Sequence, residues 1–312
     1  MLRLKFIIAY DYLTDIGALG TPKQSIIVTG GTGLLGGYLV DVLKDDYEVT
    51  SISRHASRQE KGLSVDITRK HQVEELLKHV GPGVVVHAAA NTNVDACETD
   101  RNLAWKVNVD GTANVAKACV NARARMILVS TDYVFNGEVG NYVETDAPDP
   151  VNFYGQTKLE AERIVAAILS DSLIVRTAVL YGWHNAKRNF VTWTLERLRR
   201  SETIKVAEDH ISSPTSARNL ANAIRAAIDR KSNGILHVAG SERISRYGFA
   251  VKVAKTFGLD AASIVPVKMT KLGWVARRPR DSSLGVERAR EELGIGMFDV
   301  DSGLKEMAEH QP

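Results

Sequence analysis

The run Ile26-Ile27-Val28-Thr29-Gly30-Gly31-Thr32-Gly33-Leu34-Leu35-Gly36 decides how the chain is read. Ile26 to Thr29 is a short apolar stretch of buried-strand character, and Leu34 to Leu43 carries helical spacing. Gly30, Gly33 and Gly36 follow the strand and open the helix. One glycine permits a tight turn, one lets backbone approach a pyrophosphate, and one lets helix and strand pack closely. The helix start offers unpaired N–H groups and a partial positive charge to phosphates. The bland alternative is a glycine-rich connecting turn. The strand before and the helix after favour a dinucleotide site, and Thr32, Leu34 and Leu35 join the glycines as its residues.

The pattern repeats outward. Tyr47 to Ser53, Val84 to Ala88, Met126 to Ser130 and Leu173 to Arg176 read as strands. Between them, Gln72 to Val80 reads as a helix ended by Gly81-Pro82-Gly83, and Ala104 to Ala122 as one long helix. Continuous apolar strands alternating with helices predict an α/β fold, a Rossmann-type doubly wound parallel sheet. From about Tyr181 the rhythm loosens, with helices at Phe190 to Arg200, Leu220 to Asp229, Tyr247 to Phe257 and Val286 to Leu293. Ile235 to Val238 returns to the sheet. The expected organisation is a dinucleotide-binding domain over 26–180 plus about 216–240. A smaller discontinuous C-terminal substrate lobe covers about 181–215 plus 241–312. Residues 1–25 form an N-terminal extension to which the sequence assigns no structure.

A length of 312 residues supports a sizeable core, and 44% hydrophobic with 25% charged residues is ordinary for a globular protein. The net charge of +3 argues against nucleic acid or a membrane surface as partner. The two cysteines, Cys97 and Cys119, fall in helical patterns and fit a reducing, cytoplasmic setting. The basic, apolar start is cut off at Asp11 without a small-residue cleavage site, so no signal peptide is expected.

The second strand ends Ser51-Ile52-Ser53-Arg54-His55, with Arg58 nearby and no acid at the strand end. NAD binders usually carry an acid there for the ribose hydroxyls. Arg54 instead suits a 2′-phosphate and adenine, with Ser53 beside it, so NADPH is the expected cofactor and NADH the alternative. A solvated surface arginine is the competing reading. Asp66-Ile67 sits where a third strand would end, either against adenine or as a simple turn.

The chemistry rests on Tyr154-Gly155-Gln156-Thr157-Lys158. Positions i and i+4 of a helix share a face, so the Lys158 ammonium is expected near the Tyr154 phenol. A positive neighbour favours the phenolate, and a phenol so tuned can exchange a proton with a carbonyl oxygen. Ser130-Thr131-Asp132 follows a strand, and Thr131, with Ser130 second, is the expected donor to that oxygen. A turn cap is the other use of such residues. Asn108 has two readings, a holder of a water or backbone group near Lys158 and a structural helix residue. His87, just after a strand, reads as core or cofactor wall rather than base. No metal-ligand spacing and no Gly-x-Ser-x-Gly elbow occurs, so no metal is expected.

With these residues in view, the chain resembles the extended short-chain dehydrogenase/reductases, specifically the dTDP-4-dehydrorhamnose reductase group. The likeness runs from Ile26 to about Ile295. Its carriers are the glycine turn, Ala89-Ala90-Asn91-Thr92-Asn93-Val94-Asp95, and Ser130-Thr131-Asp132-Tyr133-Val134-Phe135-Asn136-Gly137. Tyr154 to Lys158, Arg176 to Gly182, Ser213-Pro214-Thr215 and Ala276-Arg277-Arg278-Pro279-Arg280 complete it. The resemblance implies NADPH-dependent reduction of the 4-keto group of a nucleotide-linked 6-deoxyhexose. Thr131, Tyr154 and Lys158 would be the catalytic residues, and Ala88, Ala89 and Ala90 would join the cofactor site. Thr92, Val94, Tyr133, Val179 and Arg278 would meet the substrate. The related dehydratases place Asp-Glu after the threonine, whereas here Tyr133 follows Asp132, which favours simple hydride transfer.

Departures leave the sugar and its nucleotide open. Val179 stands where the reductases usually carry tryptophan, Gly285 replaces a common aspartate, and Asp209 to Thr215 differs from the family's Asp-Gln-x-Gly-Ser-Pro-Thr. The regulatory beta subunit of methionine adenosyltransferase is similar too, sharing an ending like Leu293-Gly294-Ile295-Gly296. Under that reading the chain is an NADP-binding module for a methionine adenosyltransferase, with Phe298 to Pro312 as docking element or, blandly, a frayed end. Arg277, Arg278 and Arg280 have two readings, a grip on a diphosphate and pairing with acids across the lobes. A homodimer is compatible with the sequence.

Overall fold

A computed structural model describes residues 23–54, 62–184 and 188–312. His55, Arg58 and most of the N-terminal extension lie outside the described residues. The strands are β1 (Ser25–Thr29), β2 (Glu48–Ser53), β3 (Gly62–Ser64), β4 (Val84–His87), β5 (Arg125–Thr131), β6 (Ser172–Thr177) and β7 (Leu180–Tyr181). They continue with β8 (Ile204–Ala207), β9 (Ile211–Ser212), β10 (Thr215–Ser216), β11 (Gly234–His237), β12 (Ile244–Ser245) and β13 (Ile264–Val267). The helices are α1 (Leu34–Leu43), α2 (Lys70–Val80), α3 (Val94–Thr99), α4 (Arg101–Trp105), α5 (Gly111–Ala122) and α6 (Phe153–Ile168). After them come α7 (Phe190–Arg199), α8 (Ala217–Asp229), α9 (Arg246–Thr256), α10 (Glu287–Leu293) and α11 (Val300–Glu309).

Seven parallel strands form the main sheet in the order β11-β6-β5-β4-β1-β2-β3. Successive strand side chains point to opposite faces, and here both faces are covered. Ile26 and Val28 join one core with Leu39 of α1 and Leu220 and Ile224 of α8. Ile27 between them joins a second core with Leu77 of α2, Val115 of α5 and Val165 of α6. That double burial is why the strands read as unbroken apolar runs, and it makes the sheet the doubly wound Rossmann type the sequence predicts. β1 pairs with β2 on one side and β4 on the other, so the crevice beyond its carboxyl end is the place where such sheets take ligands.

The predicted single helix from Ala104 to Ala122 is interrupted. Lys106–Asp110 is a π-helical segment between α4 and α5. It turns Asn108 inward, where its side chain accepts from Asn91 N at 2.7 Å and donates to Thr157 Oγ1 at 3.0 Å.

The remaining elements build a second body with its own apolar centre of Tyr181, Val191, Leu195, Phe249, Val253, Val300, Leu304 and Met307. The C-terminal stretch is packed rather than frayed. Asp299 caps α11, its apolar face is buried in this centre, and Trp183 Nε1 donates to Met307 O at 2.6 Å.

Candidate active site

The site grows from α6. Asn152 caps the helix by accepting from Gly155 N at 2.9 Å, and its amide donates to Arg277 O at 2.9 Å, tying the helix start to the 277–280 loop. Tyr154, Lys158 and Glu162 then follow at four-residue steps on the buried face. Glu162 fixes that face to the sheet. Arg176 on β6 reaches it at 2.7 Å, Ser130 on β5 donates to it, and both charged side chains are buried. Sequence reading missed this ion pair, and with it the Glu162 carboxylate that takes the Ser130 hydroxyl's proton.

Tyr154 packs in a small cluster with Cys97 and Ala104, and the Tyr133 ring lies 6.1 Å away. Burial pushes the Tyr154 phenol pKa above its ordinary value, and a hydrogen bond with Thr131 opposes the rise. Lys158 Nζ donates to Val129 O at 2.8 Å rather than to the phenol. Burial lowers the Lys158 pKa to about 8, against the pull of Glu162. The ammonium shares the face of Tyr154 as the spacing predicts, its hydrogen bond anchors it to β5, and burial governs the phenol.

Thr131 ends β5 with its hydroxyl donating to Asp132 Oδ1 at 3.0 Å and accepting from Tyr133 N at 3.2 Å. Ser282 donates to the other Asp132 oxygen at 2.5 Å. Burial raises the Asp132 pKa to about 6, although both hydrogen bonds and Arg246 lower it. His87 is buried between Thr29 (2.8 Å) and Thr112 (3.1 Å), and burial with the Lys158 charge holds it neutral, near 3. Asn108 holds a backbone group, accepting from Asn91 N at 2.7 Å and donating to Asn91 O at 3.1 Å. It braces Thr157 as well.

The glycine turn is built for close approach. Gly30 has φ +73°, and a Cβ on Gly36 would collide with the Gly30 carbonyl. A cavity of about 580 Å³ runs along this turn to α6. Gly30, Thr32, Gly33, Leu34, Leu35 and Gly36 line it with Ser53, Arg54, Asp66, Ile67, Ala88, Ala89 and Ala90. Thr131, Tyr154 and Lys158 face the same space, as do Thr92, Val94, Tyr133 and Val179. Asp66 is engaged locally, accepting from Thr68 N and Oγ1, both at 2.9 Å. The donor-rich turn, the arginine at the end of β2 and the shared cavity fit a phosphorylated dinucleotide.

Arg278 lies outside that lining. It pairs with Asp95 at 3.0 Å and sits over Trp274, the cross-lobe pairing that was its alternative reading. Asp209 to Thr215 contributes His210, whose ring meets Tyr133 OH at 3.3 Å, and Ser212 on the cavity wall. Arg188, Asn189, Phe190 and Arg246 also line the cavity and were not singled out from the sequence. Arg246 did leave a signal. It is the first residue of α9, after the cap Ser245, where a cation opposes the helix dipole.

A family model described as RmlD substrate binding domain matches residues 24–311. A probable low-salt glycan biosynthesis reductase, Agl14 of Haloferax volcanii, is 33% identical, with 89% of this chain and 95% of the relative covered. Methionine adenosyltransferase 2 subunit beta of Danio rerio is 29% identical, covering 92% and 90%. The crystal structure of dTDP-4-dehydrorhamnose reductase from Bacillus anthracis in complex with NADP superposes with a TM-score of 0.86 at 30% identity. That superposition covers 93% of this chain and all of the other.

Proposed function

Because the chain belongs to the RmlD substrate binding domain family, we propose that it is an oxidoreductase that reduces the keto group of a nucleotide-linked sugar. The finer reading is NADPH-dependent reduction of a 4-keto group on a 6-deoxyhexose. One observation carries it: Thr131, Tyr154 and Lys158 share a single cavity with a phosphate-suited glycine turn and Arg54. The Bacillus anthracis relative with bound NADP supports the same coenzyme here.

Gly30 to Gly36 and Arg54 would hold the phosphates, and Ala88 to Ala90 with Lys158 the remainder of the dinucleotide. When bound, the reduced dinucleotide supplies the hydride to the carbonyl carbon. Tyr154 holds its proton at the phenol oxygen, as burial requires, and passes it to the carbonyl oxygen as charge develops there. Lys158, fixed at Val129 O, presents a positive charge under that oxygen as the phenolate forms. Thr131 orients the phenol. Residues 26–180 with about 216–240 serve as the dinucleotide domain, and the rest closes the sugar side.

The test is NADPH oxidation by the purified protein with dTDP-4-keto-6-deoxy-L-hexose, and with Tyr154→Phe as control. Turnover that falls at least a hundredfold in Tyr154→Phe, with NADPH binding retained, supports the reading. NADPH binding without oxidation of any keto-sugar nucleotide overturns it and leaves a dinucleotide-binding module. The likeness to the methionine adenosyltransferase subunit then makes a pull-down with that enzyme the next step.

A further inference from the structure

The cavity wall also holds a cation without an ion-pair partner among the described residues. Arg246 lines the cavity, its guanidinium lies over the Phe190 ring at 4.9 Å, and its Nη1 is buried without a hydrogen-bond partner. Its other close group is the Tyr133 hydroxyl. The neighbouring arginines are answered differently. Arg278 pairs with Asp95, Arg243 with Asp281, and Arg188 with Glu196. Among the described residues no carboxylate lies within ion-pair distance of Arg246. Asp132 acts on it only at longer range and already accepts from Thr131 and Ser282. His210 beside it adds no negative charge.

A half-buried guanidinium whose Nη1 is shut from water without a partner is costly, and the start of α9 adds to that cost because the helix dipole is positive there. The same position offers an anion a guanidinium fork beside the helix's first turn. The Tyr133 ring meets both Arg246 and Tyr154, so such an anion would stand about one aromatic ring from the reacting phenol.

We propose that Arg246 is a substrate-binding, specificity-determining residue that holds an oxyanion of the substrate beside Tyr133 and Phe190. This rests on the keto-sugar nucleotide reading and deepens it: the substrate presents negative charge to the α9 side of the cavity. Two groups of a nucleotide sugar share that chemistry, the diphosphate bridge and a carboxylate on the sugar. Guanidinium recognition is bidentate for either.

Calorimetry on the NADPH-loaded full chain separates them. The ligands are dTDP, UDP, UDP-glucose and UDP-glucuronate, and the proteins are wild type, Arg246→Met and Arg246→Lys. If the diphosphate is held, dTDP and UDP bind Arg246→Met about 30-fold more weakly, which corresponds to about 2 kcal/mol. Arg246→Lys then recovers part of the loss, and NADPH affinity is unchanged in both variants. If a sugar carboxylate is held, wild type binds UDP-glucuronate more tightly than UDP-glucose, and that preference disappears in Arg246→Met. Equal binding of all four ligands by wild type and the methionine variant overturns the assignment and leaves the keto-sugar reading standing. Failure of wild type to bind any of the four also overturns the assignment, and NADPH oxidation with a keto-sugar nucleotide then decides the keto-sugar reading by itself. Should Arg246→Met not fold, Arg246→Lys carries the comparison, because it keeps the charge and loses the fork.

Discussion

The hydroxyl of Thr131 donates its single hydrogen to Asp132 at 3.0 Å, beside the phenol of Tyr154. A hydroxyl has one proton to give. The Thr131 hydrogen bond with Tyr154 favours the phenolate, as donation to that oxygen does, so Asp132 and the phenol oxygen compete for the same proton. The sequence offers this threonine as a donor to the substrate, and Asp132 is the group with which that use competes.

Asp132 should mark the protein's response to acid. Its pKa rises from 3.8 to about 6 on folding, through burial first. Between those values the folded protein keeps a proton that the unfolded chain has lost. This carboxyl's contribution is complete below about pH 4 and is lost as pH rises through 6. Denaturant titrations from pH 4 to 7 should show wild type losing stability relative to Asp132→Asn, on the order of 2–3 kcal/mol. Parallel curves for the two proteins would refute it.

Lys158 should act at the other end of the scale. Burial lowers its pKa from 10.5 to about 8, so between those values the unfolded chain holds more protons than the folded one. Stability from this site therefore rises with pH across that interval. Lys158→Met should lack the rise, and it should lose turnover as well. Chemical denaturation at pH 7.5 and pH 10 measures the first effect independently of the second.

The Glu162–Arg176 pair predicts a structural loss without chemistry. Both side chains are at most 4% exposed, so Arg176→Met would leave a buried carboxylate unpaired. The expected cost is about 3–5 kcal/mol, read as a lowered denaturation midpoint. Replacing both partners with apolar residues should restore most of that stability. A single variant as stable as wild type would show that Glu162 finds another partner.

Arg54 should choose the coenzyme. It stands exposed at the end of β2 on the cavity rim, where the sequence has no acid. Arg54→Ala should weaken NADPH about tenfold or more and leave NADH within about twofold, by fluorescence titration. Equal weakening of both would remove the 2′-phosphate assignment.

What could be read in the chain was what is local. The glycine turn, its flanking strand and helix, and the four-residue step from Tyr154 to Lys158 are patterns within one or two elements, and the structure places them on one cavity. What escaped depends on residues distant in sequence. Glu162 looks like a polar position on a helix until β6 brings Arg176 beneath it. Arg246 looks like a surface arginine until α9 is docked against Phe190 and Tyr133. Spacing placed Lys158 near the phenol but could not say that the Val129 carbonyl would take its hydrogen bond.

The π segment at Lys106–Asp110 also governs how this chain tolerates changes of length. Each residue added to or removed from a helix rotates everything beyond it by about 100°. Deleting one residue from the segment would let it relax to α-helix and swing α4 out of phase with α5. Ala104 would leave its packing beside Tyr154, and Asn108 would release Asn91 and Thr157. Substitutions along this helix are changes of side chain, whereas a deletion there is a change of gearing between the sheet and Tyr154.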